Sequence, residues 1–188
     1  WLCVERLKNE SMRIALAHDY LTQDGGAERT FEAITRIWNE APIYTLFFDP
    51  RRVPRFARHD VRTSFLQRLP GIKTHWQWYL PLMPTGTESL DLRDYDVVVS
   101  STSAFFKGLI TKSDAVHVCY CHTPTRYLWT DSHDYVRGVR APSLLKHTVI
   151  PPTLTWLRVW DRLSADRVTQ FVANSRTVQQ RIKRYYDR

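Results

Sequence analysis

The stretch MRIALAHDYLTQDGGAERTFEAI, residues 12–34, decides the fold, because an apolar run leads through a polar turn and a glycine pair into an amphipathic helix. The run Ile14 to Ala17 predicts a short buried strand. The helix has one apolar face at i, i+4, i+7 and i+11, formed by Ala27, Phe31, Ile34 and Trp38. Gly25 and Gly26 can take positive φ and bring backbone amides close to a ligand. The segment therefore predicts either an anion site at a helix N-terminus or a turn that merely connects the two elements.

The size and composition of the chain predict one folded domain. With 188 residues, of which 43% are hydrophobic, the chain is long enough to bury a core that offsets its conformational entropy. Its net charge of +8 is concentrated in two segments, with seven basic residues and one acid in 51–75 and five basic residues and one acid in 176–188. Such segments favour nucleic acid, anionic lipid or phosphorylated partners, unless they are only a solvated cationic face.

Several classes of protein are excluded or disfavoured by the sequence. No apolar run approaches the roughly 18 residues that a membrane span needs. Residues 1–11 lack the pattern of a secretion signal, so we interpret Met12 as the natural start and residues 1–11 as an upstream extension that is not part of the fold. Three cysteines, of which Cys119 and Cys121 are separated by one residue, give no disulfide framework and favour a reducing cytoplasm.

Further strands and helices alternate along the rest of the chain. Strands are predicted at 43–48, 95–101, 115–122 and 168–175, whereas the proline-rich segment 51–84 predicts short helices and loops. One helix is expected to open at Pro151-Pro152, and another near Ser175 with Val178, Ile182 and Tyr185 on its buried stripe. This order predicts an α/β domain with a mostly parallel, Rossmann-like sheet and helices on both faces.

Polar residues follow four of the predicted strands. They form the clusters 18–20, 100–103, 122–127 and 174–175. Because the carboxyl ends of parallel strands meet at one edge of the sheet, we expect these clusters to converge on one crevice that binds a small molecule.

Four sequence blocks in order carry a resemblance to a known family. They are GGAE at 25–28, VVVSSTSAFFKG at 97–108, CYCHTPTRYLW at 119–129 and FVANSRTVQQRIKRYY at 171–186. Together they resemble the amino-terminal domain of family 4 glycosyltransferases, most of all the mannosyltransferase-type members of bacterial polysaccharide synthesis.

The resemblance implies a GT-B enzyme, in which two Rossmann-like domains face each other across a cleft. Residues 12–188 would be its N-terminal, acceptor-binding domain, and the C-terminal nucleotide-sugar domain is expected to be absent from this chain. On this interpretation the chain is a fragment or one half of a split enzyme, and is inactive alone.

The same resemblance assigns roles to particular residues. Gly25 and Gly26 match the turn that lies against the donor diphosphate. His122 matches a histidine that faces the transferred sugar and serves as the catalytic candidate, although without the resemblance it would be interpreted as a satisfied loop histidine. The residues expected to bind the acceptor or sugar lie on neighbouring loops: Asp19, Tyr20, Ser101, Ser103, Lys107, Arg126 and Tyr127.

The reaction implied is transfer of a hexose from a nucleotide sugar, with retention at the anomeric carbon, to a glycan or polyprenyl-linked acceptor. Mannose from GDP-mannose is the donor that the resemblance suggests. No metal and no cofactor are expected, because amides and cations stabilise the leaving diphosphate in such enzymes.

Two other enzyme or metal-site hypotheses fit the sequence less well. A zinc site at Cys119, Cys121 and His122 lacks the usual ligand spacing, and strand alternation would place His122 on the face opposite the two cysteines. A dinucleotide-dependent oxidoreductase would need the G-x-G-x-x-G fingerprint, and only the pair Gly25-Gly26 is present.

The non-enzymatic alternative is a basic module that binds nucleic acid or an anionic membrane. The segment 51–79 carries Phe65, Trp76, Trp78 and Tyr79, which suit base stacking, but its interleaved leucines equally suit lipid headgroups, and the aromatics are also compatible with core positions. For an enzyme with a lipid-linked acceptor we favour the membrane and expect no nucleic acid. The expected location is cytoplasmic and peripheral, at the inner face of the cytoplasmic membrane.

Overall fold

The computed structural model describes residues 12–139 and 142–188, with the backbone alone at residue 145. The interpretation of residues 1–11 as an extension lies outside these residues. A single sheet of six strands organises the fold, and all of its strands pair in parallel in the order β3-β2-β1-β4-β5-β6. The strands are β1 Ile14–His18, β2 Ile43–Thr45, β3 Val61–Thr63, β4 Val97–Thr102, β5 Val116–Cys121 and β6 Gln170–Ala173.

Helices connect the strands. The α-helices of the described ranges are α1 Gly26–Thr35, α2 Ile72–His75, α3 Met83–Glu88, α4 Arg126–Trp129, α5 Ser132–Gly138, α6 Ser143–Thr148, α7 Ile150–Ser164 and α8 Arg176–Tyr186. Short 3-10 helices lie at Pro54–Phe56, Phe65–Arg68, Trp76–Leu82, Phe106–Gly108 and Ala165–Arg167. None of the helices in the described ranges combines the length and the apolar character that a membrane span requires.

Both faces of the sheet are covered, as expected for parallel strands. Along β1, Leu16 packs with Phe31 of α1 on one face, whereas Ala15 and Ala17 belong to the core cluster that contains Leu157 of α7 on the other face. This alternation follows from the two-residue period of a strand. The predicted α/β, Rossmann-like fold is confirmed, and its strand order is that of the N-terminal half of a GT-B protein.

The strand order reverses at β1, which pairs with β2 on one side and with β4 on the other. The register aligns His18, the last residue of β1, with Ser101 of β4. His122 follows β5 directly, and its amide donates a hydrogen bond of 2.9 Å to the Thr102 carbonyl. In such sheets ligands bind where the strand order reverses, at the carboxyl ends of the strands. These three residues lie at that point.

Several sequence-based boundaries were wrong. The segment 51–84 contains a strand, β3, because Val61–Thr63 pair with β2 at the sheet edge. The second strand ends at Thr45 rather than at 48, because the Leu46 amide donates to the Asp19 carbonyl after the chain leaves the regular pairing. Helix α1 buries Glu28, Phe31 and Thr35, so its buried face is rotated from the one predicted.

Two smaller expectations also changed. In α8 the third fully buried residue is Tyr186, whereas Tyr185 stacks on Trp129 at a centroid distance of 4.9 Å. Gly25 has a φ of −112°, and positive φ among glycines of the described ranges occurs at Gly71. The glycine pair therefore does not use the left-handed conformation that the sequence permitted.

Candidate functional site

A row of hydrogen-bonded side chains lies at the carboxyl ends of β1, β4 and β5. The Ser101 hydroxyl is 3.2 Å from Nδ1 of His18 and 2.9 Å from Nε2 of His122. His18 and Ser101 are buried, and His122 is half-buried. The sequence expectation that distant strand ends converge is thus met for these three residues.

Glu28 extends this row into the N-terminus of α1. Its Oε1 lies 3.7 Å from Nε2 of His18, and its Oε2 accepts a hydrogen bond of 2.8 Å from the Gly25 amide. The second contact is the half of a capping box that a glutamate three residues after the N-cap supplies. Phe31, one turn further along α1, stacks on the His18 ring at 4.8 Å and fixes its orientation.

The site favours an ionised Glu28 and a neutral His122. Burial of Glu28 opposes ionisation, but His18 and backbone amides, including that of Gly25, outweigh burial and lower the pKa of this carboxyl group. Burial also lowers the pKa of His122, and the neighbouring His18 lowers it further. A buried carboxylate and a neutral imidazole therefore stand at the two ends of the row.

The two predicted diphosphate-binding glycines differ in their surroundings. The Gly25 amide is occupied by Glu28, and a Cβ at Gly25 would lie 2.9 Å from Oε2 of that residue. A Cβ at Gly26 would meet no described heavy atom within 4 Å, so this face of the turn is open. The first amides of α1, at Gly26 and Ala27, have no acceptor among the described residues, as is usual at a helix N-terminus.

The Asp19 side chain, which the sequence predicts to bind acceptor or sugar, is engaged within the fold. Its carboxylate is 4% exposed and accepts five hydrogen bonds of 2.7–3.0 Å. The donors are the Thr102 hydroxyl and the amides of Ser103, Ala104, Phe105 and Phe106. Both carboxylate oxygens therefore hold the loop after β4 in place.

Lys107 was expected to line the cleft, and the structure places it inside the fold instead. Its Nζ lies 2.5 Å from Oδ1 of Asp161, and both side chains are at most 2% exposed. Asp161 also accepts hydrogen bonds from Thr125, Trp129 and Tyr186, at 2.7, 2.7 and 2.8 Å. This fully paired carboxylate joins α7 to the loops after β4 and β5 and to α8.

The remaining predicted acceptor-side residues lie on the loops around the row. The Tyr20 ring lies between those of Phe47 and Trp76, at centroid distances of 5.4 and 5.6 Å. Burial raises the pKa of Tyr20, and the nearby carboxylates raise it further. Ser103 is exposed. Arg126 is exposed and pairs with Asp131 at 2.5 Å.

Tyr127 differs from its neighbours because its hydroxyl is buried without a hydrogen-bond partner in the described ranges. Its ring packs against Tyr135 at 5.2 Å. Burial raises the pKa of Tyr127 well above its ordinary value, so the hydroxyl stays protonated. An unpaired buried hydroxyl is uncommon in proteins and marks a position where a further polar group could bind.

The fourth polar cluster does not join the row. The Ser175 hydroxyl accepts from the Val178 amide at 3.2 Å and caps α8. Asn174 and Ser175 line a separate hollow beside the edge strand β6. The structure therefore brings together three of the four clusters predicted at the strand ends.

The cysteines next to His122 face away from the row. Cys119 and Cys121 are buried among Val178, Ile182 and Tyr186, and burial raises the pKa of both thiols, that of Cys121 to about 12. Within the described part of the chain, no group of three or more histidine, cysteine or acidic side chains is placed to hold a metal ion.

A parallel six-stranded sheet with polar side chains at its switch point defines an α/β domain, and in such domains ligands generally bind at the carboxyl edge of the sheet. Comparison with family models identifies the domain more closely, because the model of Glycosyltransferase Family 4 matches residues 24–188. The chain belongs to glycosyltransferase family 4, and a transferase role follows from that membership. Neither the comparison with curated proteins nor that with solved structures gave a match.

Sequence reasoning missed Glu28 as a site residue and gave His18 no individual role. Glu28 was passed over because a charged residue beside an apolar helical face is normally solvated. The available signal was its position three residues after the N-cap glycine, where a glutamate turns back toward the start of the helix.

Replacing Asp161 by alanine is expected to lower the free energy of unfolding by about 3–5 kcal/mol, because it leaves the Lys107 ammonium buried and unpaired. Urea denaturation of the 188-residue chain measures this loss. Asp166→Ala is the control, since its pairing with Arg162 is at the surface and its loss should cost less than about 1 kcal/mol. Equal effects of the two substitutions would contradict the structural role of Asp161.

Proposed function

We propose that this chain is the N-terminal, acceptor-side domain of a retaining hexosyltransferase of family 4. The proposed reaction moves a hexose, with mannose from GDP-mannose as the first donor to test, to a glycan or polyprenyl-linked acceptor of a bacterial polysaccharide. No cofactor or metal takes part in this proposal.

The observation that carries the proposal is the position of His122 in a family 4 domain. One ring nitrogen, Nε2, is held by Ser101, while Nδ1 has no hydrogen-bond partner among the described residues and is not fully buried. A half-buried, neutral imidazole with one fixed and one free nitrogen is suited to bind a sugar hydroxyl. This arrangement supports the role that the resemblance gives to His122.

The start of α1 supplies the proposed contact with the donor. The free amides of Gly26 and Ala27 and the positive end of the helix dipole would stabilise the negative charge that develops on the leaving diphosphate. The open space beside Gly26 lets a ligand approach the backbone. The buried Glu28 carboxylate turns inward to His18 and is 1% exposed, so it does not occupy the open face of the turn beside Gly26.

The acceptor is proposed to lie along the loops after β1, β4 and β5. Ser103 and Arg126 offer an exposed hydroxyl and an exposed guanidinium, which suit a sugar and an acceptor phosphate respectively. Tyr127 follows Arg126 on the same loop, but its hydroxyl is buried and is not presented to an acceptor in this conformation. Tyr20 presents a partly buried ring held by two other aromatic residues.

A second Rossmann-like domain is part of the proposal. It would hold the nucleotide sugar, and closure of the two domains would align donor and acceptor, which accounts for much of the rate in such a mechanism. The 188-residue chain alone is therefore expected to show no transfer.

The test is a transfer assay with nucleotide sugars on the complete gene product. His122→Ala should lower kcat/KM about 5- to 150-fold, because a lost hydrogen bond to substrate costs about 1–3 kcal/mol. His133→Ala is the matched control, since His133 is exposed on α5 and outside the row. A His122→Ala enzyme as active as the control would contradict the proposed role.

We also propose that the domain docks peripherally on the anionic inner face of the cytoplasmic membrane. Helix α7 carries exposed apolar residues at i, i+3 and i+7, namely Trp156, Val159 and Leu163, which expose 48, 55 and 60% of their surface. Pro152 is also exposed and lies one turn earlier, four residues before Trp156. An amphipathic helix with such a stripe on a protein of net charge +8 suits an anionic lipid surface.

The segment that suggested membrane binding in the sequence contributes less to this surface than expected. Trp78 is 73% exposed and lines an apolar hollow with Val149 and Ile150 at the start of α7. Trp76 and Tyr79 instead pack against the core, and Trp76 stacks on Tyr20. The stripe on α7 is thus the centre of the proposed docking surface.

Flotation with anionic and neutral vesicles tests this surface. The double substitution Trp156→Asp and Val159→Asp should weaken binding to anionic vesicles at least about tenfold, because each buried apolar side chain contributes about 1.5–3 kcal/mol. Ile37→Asp is the control, since Ile37 is 67% exposed on another surface. Binding to an oligonucleotide but not to vesicles at matched salt would favour the nucleic-acid module instead.

A further inference from the structure

We propose that Glu28 is a positioning residue that acts through His18 and Ser101 to hold His122 in the tautomer with a proton on Nε2 and none on Nδ1. The row would then present a hydrogen-bond acceptor, and not a donor, to the substrate. The tautomer of His122 is inferred from the contacts within the row. Its consequence for substrate binding rests on the function proposed above.

The first step is the contact of Glu28 with His18. An ionised carboxylate can only accept hydrogen bonds, so Oε1 of Glu28, 3.7 Å from Nε2 of His18, favours a proton on that nitrogen. The other carboxylate oxygen is held by the Gly25 amide. When His18 is neutral, the proton on Nε2 leaves Nδ1 as an acceptor. A protonated His18 would donate from both nitrogens, so the order described here belongs to the pH range in which His18 is unprotonated.

The second step passes through Ser101. A hydroxyl group has one proton to donate, and Ser101 lies between two ring nitrogens. When its proton goes to Nδ1 of His18, its oxygen can only accept from Nε2 of His122. Nε2 of His122 must then carry the single proton of the neutral ring, and Nδ1 is unprotonated.

The interior position of the row keeps water from breaking this order. Glu28, His18 and Ser101 are 1, 3 and 0% exposed, and the Phe31 ring covers one side of His18. Buried hydrogen-bonded groups in a low-dielectric setting orient one another more strongly than groups in water do. His122 remains neutral near physiological pH because burial lowers its pKa, so its tautomer is well defined.

The consequence is a requirement on the substrate. A bare Nδ1 accepts a hydrogen bond, so the group that faces His122 must donate one, as a sugar hydroxyl does. A sugar in which that hydroxyl is removed or methylated would leave the nitrogen unpaired and should bind less well. The carboxylate in GGAE would thus help to select a hydroxyl at the reacting sugar without touching it.

The experiment is ¹⁵N NMR of the histidine side chains in the 188-residue chain, because the shifts of the two ring nitrogens distinguish the protonated one from the bare one. At about pH 8, above the ordinary His pKa of about 6.5, we expect His122 to show a protonated Nε2 and a bare Nδ1. The opposite assignment in the unsubstituted chain would overturn the proposal.

Glu28→Gln provides the decisive variant. The side-chain oxygen of the glutamine would still accept the hydrogen bond from the Gly25 amide. Its NH₂ group would then face Nε2 of His18 and donate to it, so the direction of each hydrogen bond along the row would reverse. The protonated nitrogen of His122 should therefore change from Nε2 to Nδ1. Glu32→Gln is the matched control on the same helix, because Glu32 pairs with Arg36 and Arg55 outside the row and should leave the His122 signals unchanged.

A third variant separates a relay from a general change in the fold. In Ser101→Ala, the link between the histidines is broken, so adding Glu28→Gln should no longer shift the His122 signals. A reversal that persists without the Ser101 hydroxyl, or the absence of reversal in Glu28→Gln alone, would overturn the proposal. None of these measurements depends on catalysis, so a negative result here leaves the transfer assay to decide the proposed function separately.

Discussion

The two hydrogen bonds of Ser101 are the interaction on which the site depends. They exist only because β1, β4 and β5 are parallel and in a register that places His18 opposite Ser101 and His122 just beyond the end of β5. A slip of one residue would turn each of these side chains to the other face of the sheet. The fold and the candidate site are therefore set by the same pairing.

Two buried carboxylates hold the loop that follows Ser101. Asp19 binds four consecutive amides and a hydroxyl at the beginning of this loop, and Asp161 binds Lys107 at its end. Both carboxylates are removed from water, and charge-assisted hydrogen bonds offset the cost of burying them. Asp19 and Lys107, which the sequence predicts to bind acceptor or sugar, thus fix the backbone of the loop that follows Ser101.

The parts of the fold with strong periodicity were predictable from the sequence, and the exceptions have physical reasons. The valines of β4 and the cap at Ser175 gave a buried strand and a helix start in the right places. Strand β3 was missed because its three residues, Val61–Thr63, are too few to establish an alternating pattern in the sequence. Lys107 was misplaced because a lysine is almost never fully buried, and its partner Asp161 lies 54 residues away.

The central claim, that distant strand ends form one coupled row, is tested most directly by a double-mutant cycle. His18→Ala and His122→Ala are compared alone and together by urea denaturation, because the hydrogen bonds that connect the two rings within the described residues run through Ser101. The account predicts a coupling free energy of about 0.5 kcal/mol or more that disappears in a Ser101→Ala background. Additive effects with Ser101 in place would contradict it.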